Sequence, residues 1–299
     1  MSKLKDFIVI SRGPLLIGSL ANPLLGTALA AGNIGVFLSM PVFVYFILYY
    51  LLIIFACNIN CLFDVEVDGK YKSYMSEATK SFGICNLKIV LFVEFLIAAY
   101  LLYWLFLNGY GLTAILALLG LLCGILYSAE PVRIKKRGFW SPFPVLIGLY
   151  TFPILGGWFL FQNSLPVYFM VFVIGYALMN EGITLVNTVE DHSEDEKEGI
   201  RTWSHIFGQQ NTLRIAALFT VFGMGTVISV FINFTAMSFI SMGLLLLSTI
   251  TILAVIKQVN SVRKAEDPEK SAKIHAKKMP KWFVMTRFPL LFLVISLLF

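Results

Sequence analysis

The polar residues of this chain are gathered into short stretches, and between them lie apolar runs long enough to cross a lipid bilayer. A hydrocarbon core of about 30 Å needs about 20 helical residues. Runs of that kind are read at 14–31, 35–57, 87–107, 111–128, 143–161, 166–187, 212–234, 238–257 and 282–299. The pattern predicts an all-α polytopic membrane protein with about nine transmembrane helices in a single domain, 1–299. Short joins at "NGYG" (108–111) and "NFTA" (233–236) keep neighbouring spans apart.

Composition agrees with the pattern, since 58% of the residues are hydrophobic and only 13% charged, against about 25% charged in a soluble domain. Charge then sets the orientation. The joins around Asn33, Asn108, Asn163 and Asn233 contain no charged residue, so every Lys and Arg, including the run from Lys257 to Arg287, falls on the other side. By the positive-inside rule that side is cytoplasmic, which puts the N-terminus inside and the C-terminus outside. The net charge of +6 is thereby accounted for by topology and anionic lipid, with no nucleic-acid partner. "MSKLKDFIVISRGP" precedes the first run without a small-residue cleavage pattern, so that run reads as a helix and not as a cleaved signal. Cys57, Cys61, Cys85 and Cys123 lie near cytoplasmic helix ends, where disulfides are disfavoured. With no further His or Cys pair to complete a zinc site, they read as small apolar fillers. Three scattered histidines give haem no ligands.

Two cytoplasmic joins are dense in acid. In "NINCLFDVEVDGKYK" (58–72), residues four apart are about 40° apart in azimuth, so Asn60, Asp64 and Asp68 form one stripe if the second helix runs on past the membrane. Asn58 and Glu66 point elsewhere. In "NTVEDHSEDEKEGIRT" (187–202), Asp191 and Asp195 fall together, and their stripe extends through Thr188 and Thr184 to Glu181 over about four turns. A single Asp at a helix end usually marks only the water interface. Here acid at a helix C-terminus opposes the macrodipole, and like charges four apart repel. Two helices carrying both penalties on one side of the membrane point to a bound cation, and carboxylate and amide oxygens suit Mg²⁺ that shares its shell with substrate phosphate. Removing one of these charges should leave folding intact, because it relieves the dipole. The join "LYSAEPVRIKKRGFW" (126–140) adds Arg133, Lys135, Lys136 and Arg137. Lys136 and Arg137 read as a topology flank, whereas Arg133 and Lys135 beside the acidic pairs suit a diphosphate.

Taken in order, N-x-x-x-D-x-x-x-D at Asn60, Asp64 and Asp68, "YSAEPVRIK" from Tyr127, and D-x-x-x-D at Asp191 and Asp195 resemble the motifs of the UbiA superfamily of intramembrane prenyltransferases. "EGIRT" (198–202) and Gly208 match the run after the second acidic motif, and the likeness extends from about Arg12 to Gly208. The resemblance implies nine helices bundled around a central cavity with a cytoplasmic cap. It also implies two Mg²⁺ ions, held by Asn60, Asp64, Asp68, Asp191 and Asp195, that bridge to the diphosphate of an isoprenyl donor. The four aspartates would be catalytic. Asn60, Lys72, Tyr127, Ser128, Arg133, Lys135 and Asn187 would bind substrate, with Arg12 and Asn22 facing the cavity. The metals would stabilise departing diphosphate in a dry pocket, and a lipophilic or aromatic acceptor would take the prenyl group.

The chain departs from the pattern in two places. After the first acidic motif, "GKYKSYMSEATKS" replaces a Lys-Pro-x-Arg-Pro element and leaves Lys70 and Lys72 as the basic residues, and Thr188 stands where some relatives carry Asp. Glu94 and Glu181 lie within spans, where an ionisable group is functional by default; Glu181, on the Asp191 stripe, ranks first. The segment 257–281 reads as a lipid-facing basic flap. Two other readings compete. A transporter of an anionic or lipid-like substrate would show broken helices at a midplane site, whereas the acid here collects at one interface. A CDP-alcohol phosphotransferase would need Asp-Gly and Ala-Arg elements that are missing ahead of the paired aspartates.

Overall fold

The computed structural model describes residues 3–234, 237–276 and 278–299. Thr235 and Ala236 of the join expected at 233–236, and Lys277 of the basic flap, lie outside the described residues. The helices are α1 (Lys3–Ile10), α2 (Gly13–Ser19), α3 (Ala21–Ala31), α4 (Ile34–Phe37), α5 (Met40–Tyr71), α6 (Ser73–Phe82), α7 (Ile84–Leu107) and α8 (Gly111–Ser128). Two 3₁₀ turns (Ile134–Lys136 and Gly138–Trp140) and a π-helical stretch (Val145–Thr151) lead into α9 (Phe152–Trp158). Then come α10 (Val167–Glu190), α11 (His192–Lys197), α12 (Trp203–Ile206), α13 (Gln209–Phe234), α14 (Phe239–Arg263), α15 (Pro268–Ala276) and α16 (Met279–Ser296). Among the described residues there is no strand, only a bridge between Arg137 and Arg201.

Seven helical segments are long and apolar enough to cross a bilayer: Met40–Tyr71, Ile84–Leu107, Gly111–Ser128, Gly138–Trp158, Val167–Glu190, Gln209–Asn233 and Phe239–Arg263. The protein is therefore an integral membrane protein. The first and last expected spans are shorter apolar helices, Leu16–Ala31 and Val284–Ser296. The first is broken at Leu20, because Pro23 has no N–H for the Ser19 carbonyl one turn earlier. At 16 residues, or about 24 Å, it falls short of the hydrocarbon thickness.

Helix α5 runs well past its expected end at residue 57. Its 32 residues are about 48 Å long, so it leaves the membrane as a rigid rod carrying Asn60, Asp64 and Asp68 on one face. Helix α10 is the central element: 72% of its apolar window is buried, against 22% for α7. It meets α13 through small residues, the contact that lets backbones approach in lipid; a Cβ on Gly223 would stand 2.6 Å from the Met179 nitrogen. Helix α3 meets α9 in the same way, with Gly157 against the Pro23 carbonyl, where a Cβ would stand at 2.6 Å. Leu25, Ile154, Phe172, Tyr176, Phe231 and Leu293 close the core between these helices.

The segment 257–281 differs from the expected flap. Helix α14 extends through Arg263, and α15 packs on α10 with Ala272 fully buried. Lys273 pairs with Glu194 at 2.9 Å and Ser193 hydrogen-bonds Glu269, so these charges tie α15 to the second acidic motif. Arg287 is a further correction. It lies inside α16, 2% exposed, and is not part of a water-facing flank. Of the cysteines, Cys61 is buried as expected of a filler, Cys57 and Cys123 are half-buried, and Cys85 is exposed.

Candidate active site

The first acidic motif forms a continuous chain of hydrogen bonds. Arg12 donates to Asn60 Oδ1 (2.8 Å), and Asn60 Nδ2 donates to Asp64 Oδ2 (2.7 Å) and to Ser128 Oγ (3.2 Å). Arg133 Nη2 donates to Asp64 Oδ1 at 2.6 Å, and Lys135 Nζ donates to Asp64 Oδ2. Arg133 also reaches Glu130 (3.0 Å). Asn60 and Asp64 are buried. They are mid-helix residues and not the helix terminus expected, because α5 continues to Tyr71.

Arg12 (φ 50°) and Arg133 (φ 36°) are the non-glycine residues with left-handed backbone among the described residues. That conformation costs about 1–2 kcal/mol per residue and persists where surrounding contacts over-determine it. Arg12 closes on the Asn60 amide and Arg133 on the Asp64 carboxylate, so the strain sits where two chain segments meet one hydrogen-bonded pair.

The second motif comes from a helix break. Helix α10 ends at Glu190 and Asp191 turns the chain into α11, where Asp195 N returns to Asp191 O at 2.8 Å. The expected single stripe therefore bends at Asp191. Lys72, just past α5, donates to Asp191 Oδ2 at 2.9 Å and joins the two motifs. Burial lowers the Lys72 ammonium and the Asp191 carboxylate raises it, leaving it above its ordinary value. Lys135 interacts electrostatically with Asp64, Asp68 and Asp195, and Lys72 with Asp68, Asp191 and Asp195. These two lysines thus stand between the motifs. Burial holds the Lys135 ammonium below its ordinary value despite Asp64, so the protein alone undercompensates its charge. Burial, then the neighbouring Asp191 charge, pushes the Asp195 carboxyl up to about 7. Tyr127, half-buried on α8, is within electrostatic reach of Arg12, Asp64, Asp195 and Glu181. Lys70 and Tyr71 close the rim by donating to Glu198 at 2.8 and 3.1 Å.

Of the other expected members, Asn22 lies apart and Asn187 stands on the Asp191 side. Asn22 makes no hydrogen bond to this cluster. Its amide donates to Tyr49 OH (3.0 Å) and the Leu149 carbonyl (2.8 Å) and accepts from Tyr176 OH (2.8 Å). The helical donor for Leu149 would be residue 153, a proline without N–H, so Asn22 supplies the missing partner. Asn187 is half-buried one turn before Asp191, and its carbonyl receives the Asp191 N–H at 3.1 Å. Glu94 accepts from Asn58 at 2.8 Å. Sequence reading missed the lysine bridge between the motifs and the buried Arg287, which donates to Asn180 Oδ1 (2.8 Å) and lies 5.2 Å over the Tyr150 ring. An arginine inside the apolar run 282–299 was the available signal.

Among the described residues, no three acidic, His or Cys side chains are close enough to cage a metal. The donor set still fits Mg²⁺ of the kind that completes its shell with phosphate and water, since it is all oxygen and the Asp68 and Asp195 carboxylates have no hydrogen-bonded or ion-paired partner among the described residues.

Over 121 residues the chain is 28% identical to the bacteriochlorophyll synthase 33 kDa chain of Cereibacter sphaeroides, covering 40% of this chain and 38% of that one. It is 31% identical over 124 residues to the Rhodobacter capsulatus counterpart, covering 40% and 39%. The matches thus span about two fifths of these relatives' length. Its fold matches a UbiA homolog from Archaeoglobus fulgidus bound to DMAPP and Mg²⁺ (TM-score 0.73, 16% identity, 97% of this chain and 99% of that chain). It also matches a structure of digeranylgeranylglyceryl phosphate synthase (TM-score 0.68, 18% identity, 99% and 100%). A model of the UbiA prenyltransferase family matches residues 19–284, and the chain belongs to that family.

Proposed function

We propose that the protein transfers a prenyl group from an isoprenyl diphosphate to a lipophilic or aromatic acceptor within the membrane, releasing diphosphate. The observation that carries this reading is the convergence of Arg12, Lys72, Arg133 and Lys135 on Asn60 and four aspartates, from α5 and the α10–α11 break, at one end of the bundle. Four cations and four carboxylates interleaved at short range form a site for a dianionic head group and its counter-ions. Lys135, which burial holds below its ordinary value despite Asp64, gains from an added anion. The structure of a relative with DMAPP and Mg²⁺ supports the same donor class.

In this reading Asn60, Asp64, Asp68, Asp191 and Asp195 hold Mg²⁺, as two ions, whose chemistry is to stabilise the charge on departing diphosphate. Lys72 and Lys135 turn from carboxylate to phosphate oxygens as the donor seats. Arg133 holds Asp64 in position, and Ser128 and Arg12 fix the Asn60 amide. Tyr127 lines the transition from the charged mouth to the apolar interior, and Asn187 flanks the Asp191 side. Asn22 acts through the fold, by tying α3 to α5, the π-helical stretch and α10. The whole chain acts as one domain of nine spans, counting the two shorter apolar helices. The charged end, capped by α6, α11, α12 and α15, and the N-terminus are cytoplasmic, and the C-terminus lies outside. The family is one of prenyltransferases, and the transporter reading is not favoured.

The test is incubation of purified protein with Mg²⁺, labelled prenyl diphosphates of graded length and a panel of acceptors, scored by product mass. A Mg²⁺-dependent mass gain of whole isoprene units on an acceptor is expected. Transport of an intact diphosphate with no such product would overturn the proposal.

A further inference from the structure

The basic loop and the run after the second acidic motif meet at a pair of arginines. Arg137 and Arg201 are opposed in a β-bridge, with Gly138 N donating to Arg201 O at 2.9 Å. Bridged backbones lie about 4.8 Å apart, so two like charges are held at adjacent positions and repel. Both side chains are exposed, and neither forms an ion pair among the described residues. The carboxylates nearest in sequence are taken: Glu130 accepts from Arg133 and Lys136, and Glu198 from Lys70 and Tyr71. The Arg137 guanidinium is also fixed in plane, because Nε donates to the Val132 carbonyl (2.8 Å) and Nη2 to the Pro131 carbonyl (2.9 Å). A fixed fork with Nη1 still uncommitted suits a phosphate oxygen.

Arg137 also lines an open groove of about 420 Å³, together with Trp140, Phe143, Ile147 and, from α8, Cys123. That volume is in the range of ligand sites, and none of the four aspartates lines it. The groove runs from the membrane surface inward. Gly138–Trp158 is a spanning segment, so Trp140 stands at its charged end and Ile147 one turn deeper than Phe143. Cys123 lies five residues, about 7.5 Å, inside the end of α8 at Ser128. Phe139 and Trp140 are exposed and touch each other and Phe143 at ring separations of 5.4 to 5.6 Å, the aromatic character of a bilayer interface.

We propose that this groove binds an anionic phospholipid, with its phosphate on Arg137 and Arg201 and one acyl chain between Trp140 and Ile147. A topology flank asks only for positive charge. An in-plane guanidinium above an apolar groove asks for a phosphate that carries a chain. A phosphatidylcholine head group brings a cation of its own to the arginine pair, so the site selects lipids with net negative charge. The bound phosphate offsets the repulsion between the arginines and ties the basic loop to the run after the second acidic motif. The site is separate from the proposed prenyl transfer and does not depend on it.

Cys123 reports occupancy of the groove, and exposed Cys85 on α7 is the internal control. Full-length protein in neutral detergent, stripped of lipid, is treated with N-ethylmaleimide, and the alkylation rate at each cysteine is read by peptide mass. Dioleoylphosphatidylglycerol should slow Cys123 at least fivefold more than dioleoylphosphatidylcholine does, with Cys85 unchanged. In the Arg137→Gln/Arg201→Gln double variant the two lipids should slow Cys123 equally. Native mass spectrometry of the same samples should show one phosphatidylglycerol retained by wild type under conditions that release phosphatidylcholine. An unreactive Cys123 in lipid-free protein, equal slowing by the two lipids in wild type, or slowing by inorganic phosphate alone overturns the proposal. The wild-type comparison decides the matter even if the double variant fails to fold.

Discussion

Replacing Asp64 by Ala should destabilise the protein, which reverses the expectation from sequence. As an interfacial carboxylate at a helix C-terminus, Asp64 would be neutral or unfavourable. In the structure it is 6% exposed, and both of its oxygens are taken by cations whose side chains are 8% and 13% exposed. Exposed ion pairs are worth about 0–1 kcal/mol, but removing one partner of a buried pair costs about 3–5 kcal/mol, because a buried charge is left uncompensated. Asp64→Ala strands two cations, so the upper part of that range applies, about 4–5 kcal/mol. Arg133→Met leaves Asp64 with Lys135 and should cost less, about 2 kcal/mol. The double variant should then cost about 2–3 kcal/mol less than the sum of the two singles. At about 2 °C per kcal/mol for a chain of this size, thermal unfolding in detergent should show losses of about 8–10 °C and 4 °C. A loss below about 2 °C for Asp64→Ala, or additive behaviour in the double variant, would refute the account of Asp64 as a buried hub.

Asn22→Leu should lower thermal stability by about 2–4 kcal/mol, since it leaves the Leu149 carbonyl and the Tyr49 hydroxyl unpaired and removes one partner of the Tyr176 hydroxyl; a melting temperature within 1 °C of wild type would contradict this. Asp195, held up to about 7 by burial and Asp191, must lose its proton before it can ligate a cation. Mg²⁺-dependent donor binding should therefore be level above about pH 8 and fall toward tenfold per unit below about pH 7, and calorimetry showing binding flat from pH 5.5 to 8 would exclude Asp195 as a ligand. Single-cysteine labelling with an impermeant maleimide from outside should reach position 163 and miss position 193, and the reverse result would invert the assigned orientation.

The bilayer itself made much of the fold legible. Apolar runs of fixed length and the one-sided distribution of charge identify spans without any knowledge of packing, and α8 falls on its expected bounds, 111–128. Helix ends were less legible. Residues 58–71 extend α5, which packs against α6 and α7; the four-residue spacing of Asn60, Asp64 and Asp68 fits a continued helix, but the end at Tyr71 is set by tertiary packing. Breaks at Leu20 and Val145–Thr151 trace to Pro23 and Pro153, whose effects were present in the sequence but required knowing which carbonyl each proline would orphan. In the site, the two acidic motifs and the basic loop were readable as spaced patterns. Which cation meets which carboxylate was not, because the left-handed backbone of Arg12 and Arg133 and the reach of Lys72 across 119 positions to Asp191 are set by the assembled bundle. Asn22 shows the opposite failure, a polar residue in an apolar helix whose partner is a backbone carbonyl.

The central claim is that four aspartates, two on α5 and two at the α10–α11 break, bind a diphosphate through Mg²⁺ with the help of Lys72 and Lys135. Calorimetric titration of geranyl diphosphate into wild type, with Mg²⁺ and with excess EDTA, tests it most directly when repeated on Asp68→Asn and Asp191→Asn. The account predicts binding in wild type with Mg²⁺ that is lost in EDTA and weakened at least tenfold in each variant. Binding that survives EDTA, or that both variants retain at wild-type strength, would contradict it.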